Sequence, residues 1–117
     1  MPSKPSILII DSDAYLAGMF GRKFEAEGWK VSVTETMVDA EKALQKKVPS
    51  VILLEPDMNQ DRSEALIKSA FAPVIILTTL SEKQEIERMK RAGAIAYLLK
   101  GHFVPSEVVA KVKSLIK

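Results

Sequence analysis

Four short apolar runs in this chain each end on a single polar residue. Ile7-Leu8-Ile9-Ile10 leads into Asp11, and Val51-Ile52-Leu53-Leu54 into Glu55. Val74-Ile75-Ile76-Leu77 leads into Thr78, and Tyr97-Leu98-Leu99 into Lys100. Runs of this length without polar interruption suit strands buried on both faces, as in parallel sheets. In open α/β sheets, ligands bind beyond the carboxyl ends of the strands. The pattern therefore predicts two carboxylates, a hydroxyl and an ammonium converging on one spot.

The chain has 117 residues, 47% hydrophobic and 27% charged, which suits one soluble core without covalent staples. Residues 1–117 read as a single domain, with 1–5 as an N-terminal tail. There is no cysteine, which excludes disulfides, thiol catalysis and thiolate metal sites. The one histidine, His102, cannot build a multi-histidine centre. No apolar run approaches the roughly 20 residues of a membrane span. Met1 to Ser6 lacks the apolar stretch of a signal peptide. A soluble cytoplasmic protein is the expectation. The net charge of +2 is too small to argue for direct nucleic-acid binding. Arg88, Lys90 and Arg91 lie beside Glu85 and Glu87, as on a solvated helix face.

Between the runs the apolar spacing turns helical, which reads as βαβ units. A first helix is predicted from Asp13 as N-cap to Gly28 as stop. Leu16, Met19, Phe20 and Phe24 should face inward, with Gly18 and Gly21 permitting close packing on the sheet. Lys30 to Thr34 alternates Val31 and Val33 with polar residues, as an edge strand would. Thr36 caps a second helix that buries Met37, Ala40 and Leu44 and ends before Pro49. Pro56 to Arg62 reads as loop, with Asp61 and Glu64 as a capping arrangement for a short third helix over Ser63 to Phe71. Ser81 and Gln84 fit a capping box for a fourth helix closed by Gly93. Its acids precede its bases, which suits the helix dipole. Its apolar stripe is thin, mainly Ile86 and Met89, so it should be the most exposed helix. Pro105 and Glu107 open a fifth helix that buries Val108, Val109, Val112, Leu115 and Ile116. Trp29 reads as a packing residue remote from the site, and His102 as a surface loop residue. Five strands and five helices in alternation predict a doubly wound α/β sheet.

These four runs in this order, with Ala92-Gly93-Ala94-Ile95-Ala96-Tyr97-Leu98-Leu99-Lys100 closing the series, resemble the receiver domain of two-component response regulators. The resemblance covers essentially the whole chain. It implies a flavodoxin-like (βα)5 fold with a five-stranded parallel sheet in strand order 2-1-3-4-5. In that family the residue after the third strand is an aspartate that accepts a phosphoryl group from a histidine kinase. Acids after the first strand hold Mg²⁺. A hydroxyl after the fourth strand and a lysine after the fifth bind the phosphoryl oxygens. An aromatic residue on the fifth strand reports the switch to the partner-binding face.

By position, Asp11 matches the first acid, Thr78 the hydroxyl, Lys100 the lysine and Tyr97 the switch aromatic. Two positions depart. Glu55 stands where the phosphoacceptor aspartate belongs, and Ser12 where a second acid binds Mg²⁺. Asp13 matches a third position and reads as the helix cap. Gly101 replaces the proline that usually follows the lysine, which puts the family's cis peptide there in doubt. The loop after Glu55 lacks the usual Met-Pro-x-x-x-Gly pattern, and the third helix is trimmed.

Glutamate carries its carboxylate about one C–C bond, roughly 1.5 Å, further out than aspartate. Phosphoryl transfer needs in-line geometry, and a misplacement of about 1 Å can slow a reaction on the order of a hundredfold. Mg²⁺ demands near-ideal octahedral oxygens, which Ser12 weakens. The expectation is a phosphorylation-independent receiver, not an enzyme, that works by protein–protein contact. Glu55, reaching Lys100 and Thr78, would hold a state resembling the phosphorylated one. A plainer reading makes Asp11 and Glu55 relics neutralised by Lys100, Thr78 a strand-end residue satisfying backbone groups, and Tyr97 core. No cofactor is expected, with Asp11 and Glu55 as residual metal candidates. The resemblance places the partner face on the fourth helix, fifth strand and fifth helix, with Ile86, Met89, Lys90, Arg91 and Tyr97 as candidates. A histidine kinase or a downstream effector is the expected partner, and a homodimer is a further option. No effector module follows Lys117, so the chain acts alone or is a piece of a larger regulator.

Two alternatives stand beside this reading. One is a working receiver that uses Mg²⁺ and accepts phosphate, at an unusual residue if necessary. The other is a nucleotide- or flavin-binding domain of the same architecture. The loop Asp11-Ser12-Asp13 disfavours the latter, because it is acidic and lacks glycine where a phosphate cradle is needed.

Overall fold

The computed structural model describes residues 4–56, 60–79 and 82–116, with Gln60 described by its backbone alone. Its elements alternate strictly. They are β1 (Ser6–Ile10), α1 (Ala14–Ala26), β2 (Lys30–Thr34), α2 (Met37–Lys46) and β3 (Val51–Leu54). Then come α3 (Gln60–Ser69), β4 (Val74–Thr78), α4 (Lys83–Ala92), β5 (Ala96–Leu99), a 3-10 turn (Lys100–His102) and α5 (Pro105–Leu115). The five strands form one parallel sheet in the order β2-β1-β3-β4-β5, as the resemblance implied.

The unbroken apolar runs follow from burial on both faces. Successive strand side chains point to opposite sides. Ile7, Ile9, Val51, Leu53, Ile75 and Leu77 pack with α1 and α5 on one face. Leu8, Ile10, Ile52, Leu54, Val74 and Ile76 pack under α2, α3 and α4 on the other. Each fully buried Leu, Ile or Val of this kind stabilises by roughly 1.5–3 kcal/mol. Among the described residues no helix is long and apolar enough to cross a membrane.

Several local expectations need correction. On α1 the buried stripe is Ala17, Phe20, Gly21 and Phe24, which includes two of the predicted residues, and Leu16 packs partly buried against the same core. Met19 is only half-buried, because the helix rolls its small residues onto the sheet. Gly21 is the position of close approach, where a Cβ would stand 3.2 Å from Val31 Cγ1. Gly18 does not approach the sheet and meets only Arg22 of its own helix. Val33 faces α1 near Gly21 yet is 42% exposed, since β2 is an edge strand with no strand beyond it among the described residues. The third helix is α3, which starts at Gln60 and ends at Ser69, so Asp61 and Arg62 are helical rather than loop. Asp57, Met58 and Asn59 lie outside the described residues, as does Ser81, whose predicted cap role is therefore not described. The N-cap position of α4 is Glu82, without a side-chain cap bond.

Other features follow the sequence closely. The Asp13 side chain accepts from the Leu16 amide at 3.1 Å, and Thr36 accepts from the Asp39 amide at 3.1 Å. Gly93 closes α4 at φ +125°, a conformation that L side chains rarely adopt. Trp29 is buried edge-on against Phe24, with ring centroids 5.2 Å apart, at the opposite end of α1 from Asp13. Among the described residues every peptide bond is trans.

Candidate functional site

Strand register brings the polar strand ends together. Ile10 lies opposite Leu54 in the β1–β3 pair, and Thr78 opposite Leu99 in the β4–β5 pair. The next residues, Asp11, Glu55 and Lys100, therefore leave the sheet at one edge. The backbone ladder continues into them. The Glu55 amide donates to Ile10 O at 2.8 Å, and the Asp11 amide to Thr34 O at 3.0 Å.

Lys100 is the hub. Its Nζ lies 2.7 Å from Asp11 Oδ2 and 2.7 Å from Glu55 Oε2. The three side chains, Lys100, Asp11 and Glu55, are 8%, 3% and 22% exposed, so this ion triad is largely withdrawn from water. The remaining oxygens are also engaged. Asp11 Oδ1 accepts from the Asp13 amide at 2.8 Å, and Glu55 Oε1 from Ser12 Oγ at 3.1 Å. Thr78 is buried at the end of β4.

Burial acts first on the acidity of each group. It pushes the Asp11 carboxyl up, and the hydrogen bonds from Lys100 and the Asp13 amide only partly offset that. Burial also pushes Glu55 up, but hydrogen bonds with Lys100, Asp11 and Ser12 outweigh it and hold this carboxyl below its ordinary value. Burial pushes Lys100 down, and its two carboxylate partners more than restore it, so its pKa is raised above 10.5. The arrangement favours a charged Lys100–Glu55 pair with Asp11 as a weaker acid beside it.

The residues present do not fit the family's Mg²⁺. Every carboxylate oxygen of Asp11 and Glu55 already accepts a hydrogen bond or faces the ammonium. Position 12 offers a hydroxyl in place of a carboxylate. Among the described residues no group of three or more His, Cys, Asp or Glu side chains is placed to hold a metal ion.

The expected partner face is mixed. Lys90 and Arg91 are exposed on α4, and Ile86 and Tyr97 are half-buried. Met89 does not belong there. It is 1% exposed and packs into the core, because α4 has so few apolar residues that this one must anchor it to the sheet. Burial raises the Tyr97 pKa, with Glu85 and Glu82 adding to the effect. His102 is exposed in the 3-10 turn.

Sequence reasoning misses Arg88. Its neighbours suggest a solvated face, but its guanidinium pairs with both Glu64 and Asp61 on α3. The two acids with the spacing of a helix cap instead tie α3 to α4. A single chain of residues gives no signal for such a cross-helix pair. Arg88→Gln is expected to speed amide exchange across 83–92 while leaving α1 and α5 unchanged. Unaltered exchange in α4 would show that the pairing carries no restraint.

The sequence profile of the response regulator receiver domain matches residues 7–113. The DNA-binding response regulator MtrA of Mycolicibacterium paratuberculosis is 30% identical over 115 residues, which make up 95% of this chain and 51% of that protein. The phosphate regulon regulator PhoB of Rhizobium meliloti is 27% identical over 120 residues, 97% of this chain and 52% of that protein. The chain thus spans about half the length of these relatives. Among solved structures, a two-component response regulator from Clostridium difficile superposes with TM-score 0.86 at 23% identity, covering 96% of this chain and 95% of that one. An orphan response regulator from H. pylori superposes with TM-score 0.86 at 18% identity, covering 97% of each chain. These structural likenesses establish the fold, and the profile match establishes the family: the chain belongs to the response regulator receiver domains of two-component signalling.

Proposed function

We propose that this receiver domain works without aspartyl phosphorylation, held in one state by its own side chains. The observation that carries this reading is the Lys100 Nζ to Glu55 Oε2 contact at 2.7 Å. The lysine that would bind an incoming phosphoryl group is occupied by an internal carboxylate. Glu55 reaches it because its arm is longer than that of aspartate, and the Ser12 hydroxyl steadies the other oxygen at 3.1 Å. Glu55 carries the same single negative charge as an unmodified aspartate, but places it roughly one C–C bond further from the backbone, toward where phosphoryl oxygens would lie.

The output is binding of a protein partner through α4, β5 and α5. Lys90 and Arg91 supply charge there, and the half-buried Ile86 and Tyr97 supply apolar contact. The partner is a histidine kinase or a downstream effector. This reading assigns no catalytic residue and no metal.

Incubation with acetyl phosphate and Mg²⁺, followed by intact mass measurement, tests it. The expected result is an unchanged mass. A gain of one phosphoryl group overturns this reading in favour of a working phosphoacceptor domain.

A further inference from the structure

We propose that the Lys100 ammonium is the resident cation of this site, standing between the Asp11 and Glu55 carboxylates in place of a divalent ion. The inference rests on the phosphorylation-independent reading and names what substitutes for the metal in it.

Geometry carries it. An ammonium has three N–H donors, and Nζ lies 2.7 Å from one oxygen of each carboxylate. The other oxygen of each is closed by the Asp13 amide at 2.8 Å and the Ser12 hydroxyl at 3.1 Å. Mg²⁺ takes about six oxygens at roughly 2.0–2.1 Å and sheds its water reluctantly. To bind here it must meet an ammonium 8% exposed that shares its ligands and repels it. Water screens that repulsion poorly because the triad is largely buried.

Charge points the same way. Two carboxylates and one ammonium leave a single negative charge. The family's second acid is a neutral serine here, so position 12 adds no carboxylate to attract a divalent ion. Loss of the ammonium leaves two negative charges around the vacated position, with the Ser12 hydroxyl beside them. That set matches a divalent cation in charge and in its preference for oxygen ligands. The same site therefore has two cation forms, one built in and one latent.

MnCl2 is the probe, followed by calorimetry and thermal unfolding of the chain in metal-free buffer. The unsubstituted protein is expected to show no saturable Mn²⁺ binding below about 10 mM, beyond the weakest range of protein oxygen sites. Lys100→Ala is expected to bind Mn²⁺ at least roughly tenfold more tightly, with a raised Tm in its presence. Adding Glu55→Gln to that variant should remove the gain. If Lys100→Ala is unfolded without metal, circular dichroism should report refolding on addition of MnCl2. Saturable binding below about 10 mM by the unsubstituted chain overturns the proposal. So does a folded Lys100→Ala that ignores the ion, or an unfolded one that MnCl2 does not restore. These outcomes are separate from the phosphodonor test. A protein that fails here yet keeps its mass with acetyl phosphate leaves the fixed-state reading standing.

Discussion

Lys100→Met is expected to destabilise the fold by about 3 kcal/mol at neutral pH in metal-free buffer, in the range found when one partner of a buried ion pair is removed. The methionine fills much of the same space, so the loss is electrostatic rather than a cavity. Asp11 is 3% exposed and Glu55 22%, and each would lose the ammonium at 2.7 Å. Two partly buried carboxylates would then face each other without a counter-charge. Lys113→Met serves as the control. Lys113 pairs with Glu27 at 3.0 Å, but both side chains are about half exposed, and such pairs contribute only about 0–1 kcal/mol. Urea unfolding at unchanged slope would measure both. A Lys100→Met cost no larger than that of Lys113→Met would refute the role given to the triad.

The pH dependence carries the same signature. Lys100 has a raised pKa in the fold, so its contribution is complete below 10.5 and is lost as pH climbs through the higher folded value. Glu55 has a lowered pKa, so its contribution is present above 4.5 and is lost as pH falls through the lower folded value. Asp11 has the opposite sign. Its raised pKa means that protonation below its folded value relieves strain and partly offsets the loss at Glu55. The alkaline limb is therefore the cleaner one to follow. Lys100→Met should flatten it.

Ser12→Asp combined with Glu55→Asp is expected to convert the domain into a phosphoacceptor. With acetyl phosphate and Mg²⁺ the double variant should gain one phosphoryl group, at a rate about a hundredfold or more above the unsubstituted chain. Three changes combine. The acceptor carboxylate retreats by roughly one C–C bond. A second acid joins Asp11 to hold the cation. Lys100 is released from the longer glutamate and can meet phosphoryl oxygens. A cleft of about 370 Å³, lined by Ser12, Glu35, Thr36 and Glu55 among others, gives a small phosphodonor access. Tandem mass spectrometry should place the phosphoryl group on the aspartate introduced at position 55. An unchanged mass would mean that the site has lost more than these two residues.

The fold is legible because its strands advertise themselves. Apolar runs without interruption have few homes other than a sheet covered on both faces. Asp13, Thr36 and Gly93 punctuate helices for reasons that are local to the backbone. Errors arise where a choice depends on neighbours distant in sequence. The inward roll of α1 toward Gly21 depends on Val31 lying 3.2 Å from the place of a missing Cβ. Met89 is core because α4 has little else to bury. Asp61 and Glu64 have the spacing of a cap, but their partner, Arg88, lies 24 and more residues away in the chain.

The site divides along the same line. The residue types at its five positions, Asp11, Ser12, Glu55, Thr78 and Lys100, are readable from the sequence, together with the departure from the family at 12 and 55. Alternation and strand ends follow from hydrophobic period and backbone sterics, which act over a few residues. Which oxygen faces which donor is a different matter. The bridging of two carboxylates by Lys100, and the turn of Ser12 toward Glu55 rather than outward, depend on strand register and on withdrawal from water. Both arise only when residues 45 and 89 positions apart are packed side by side. Burial is what makes those contacts strong, and burial belongs to the tertiary structure alone.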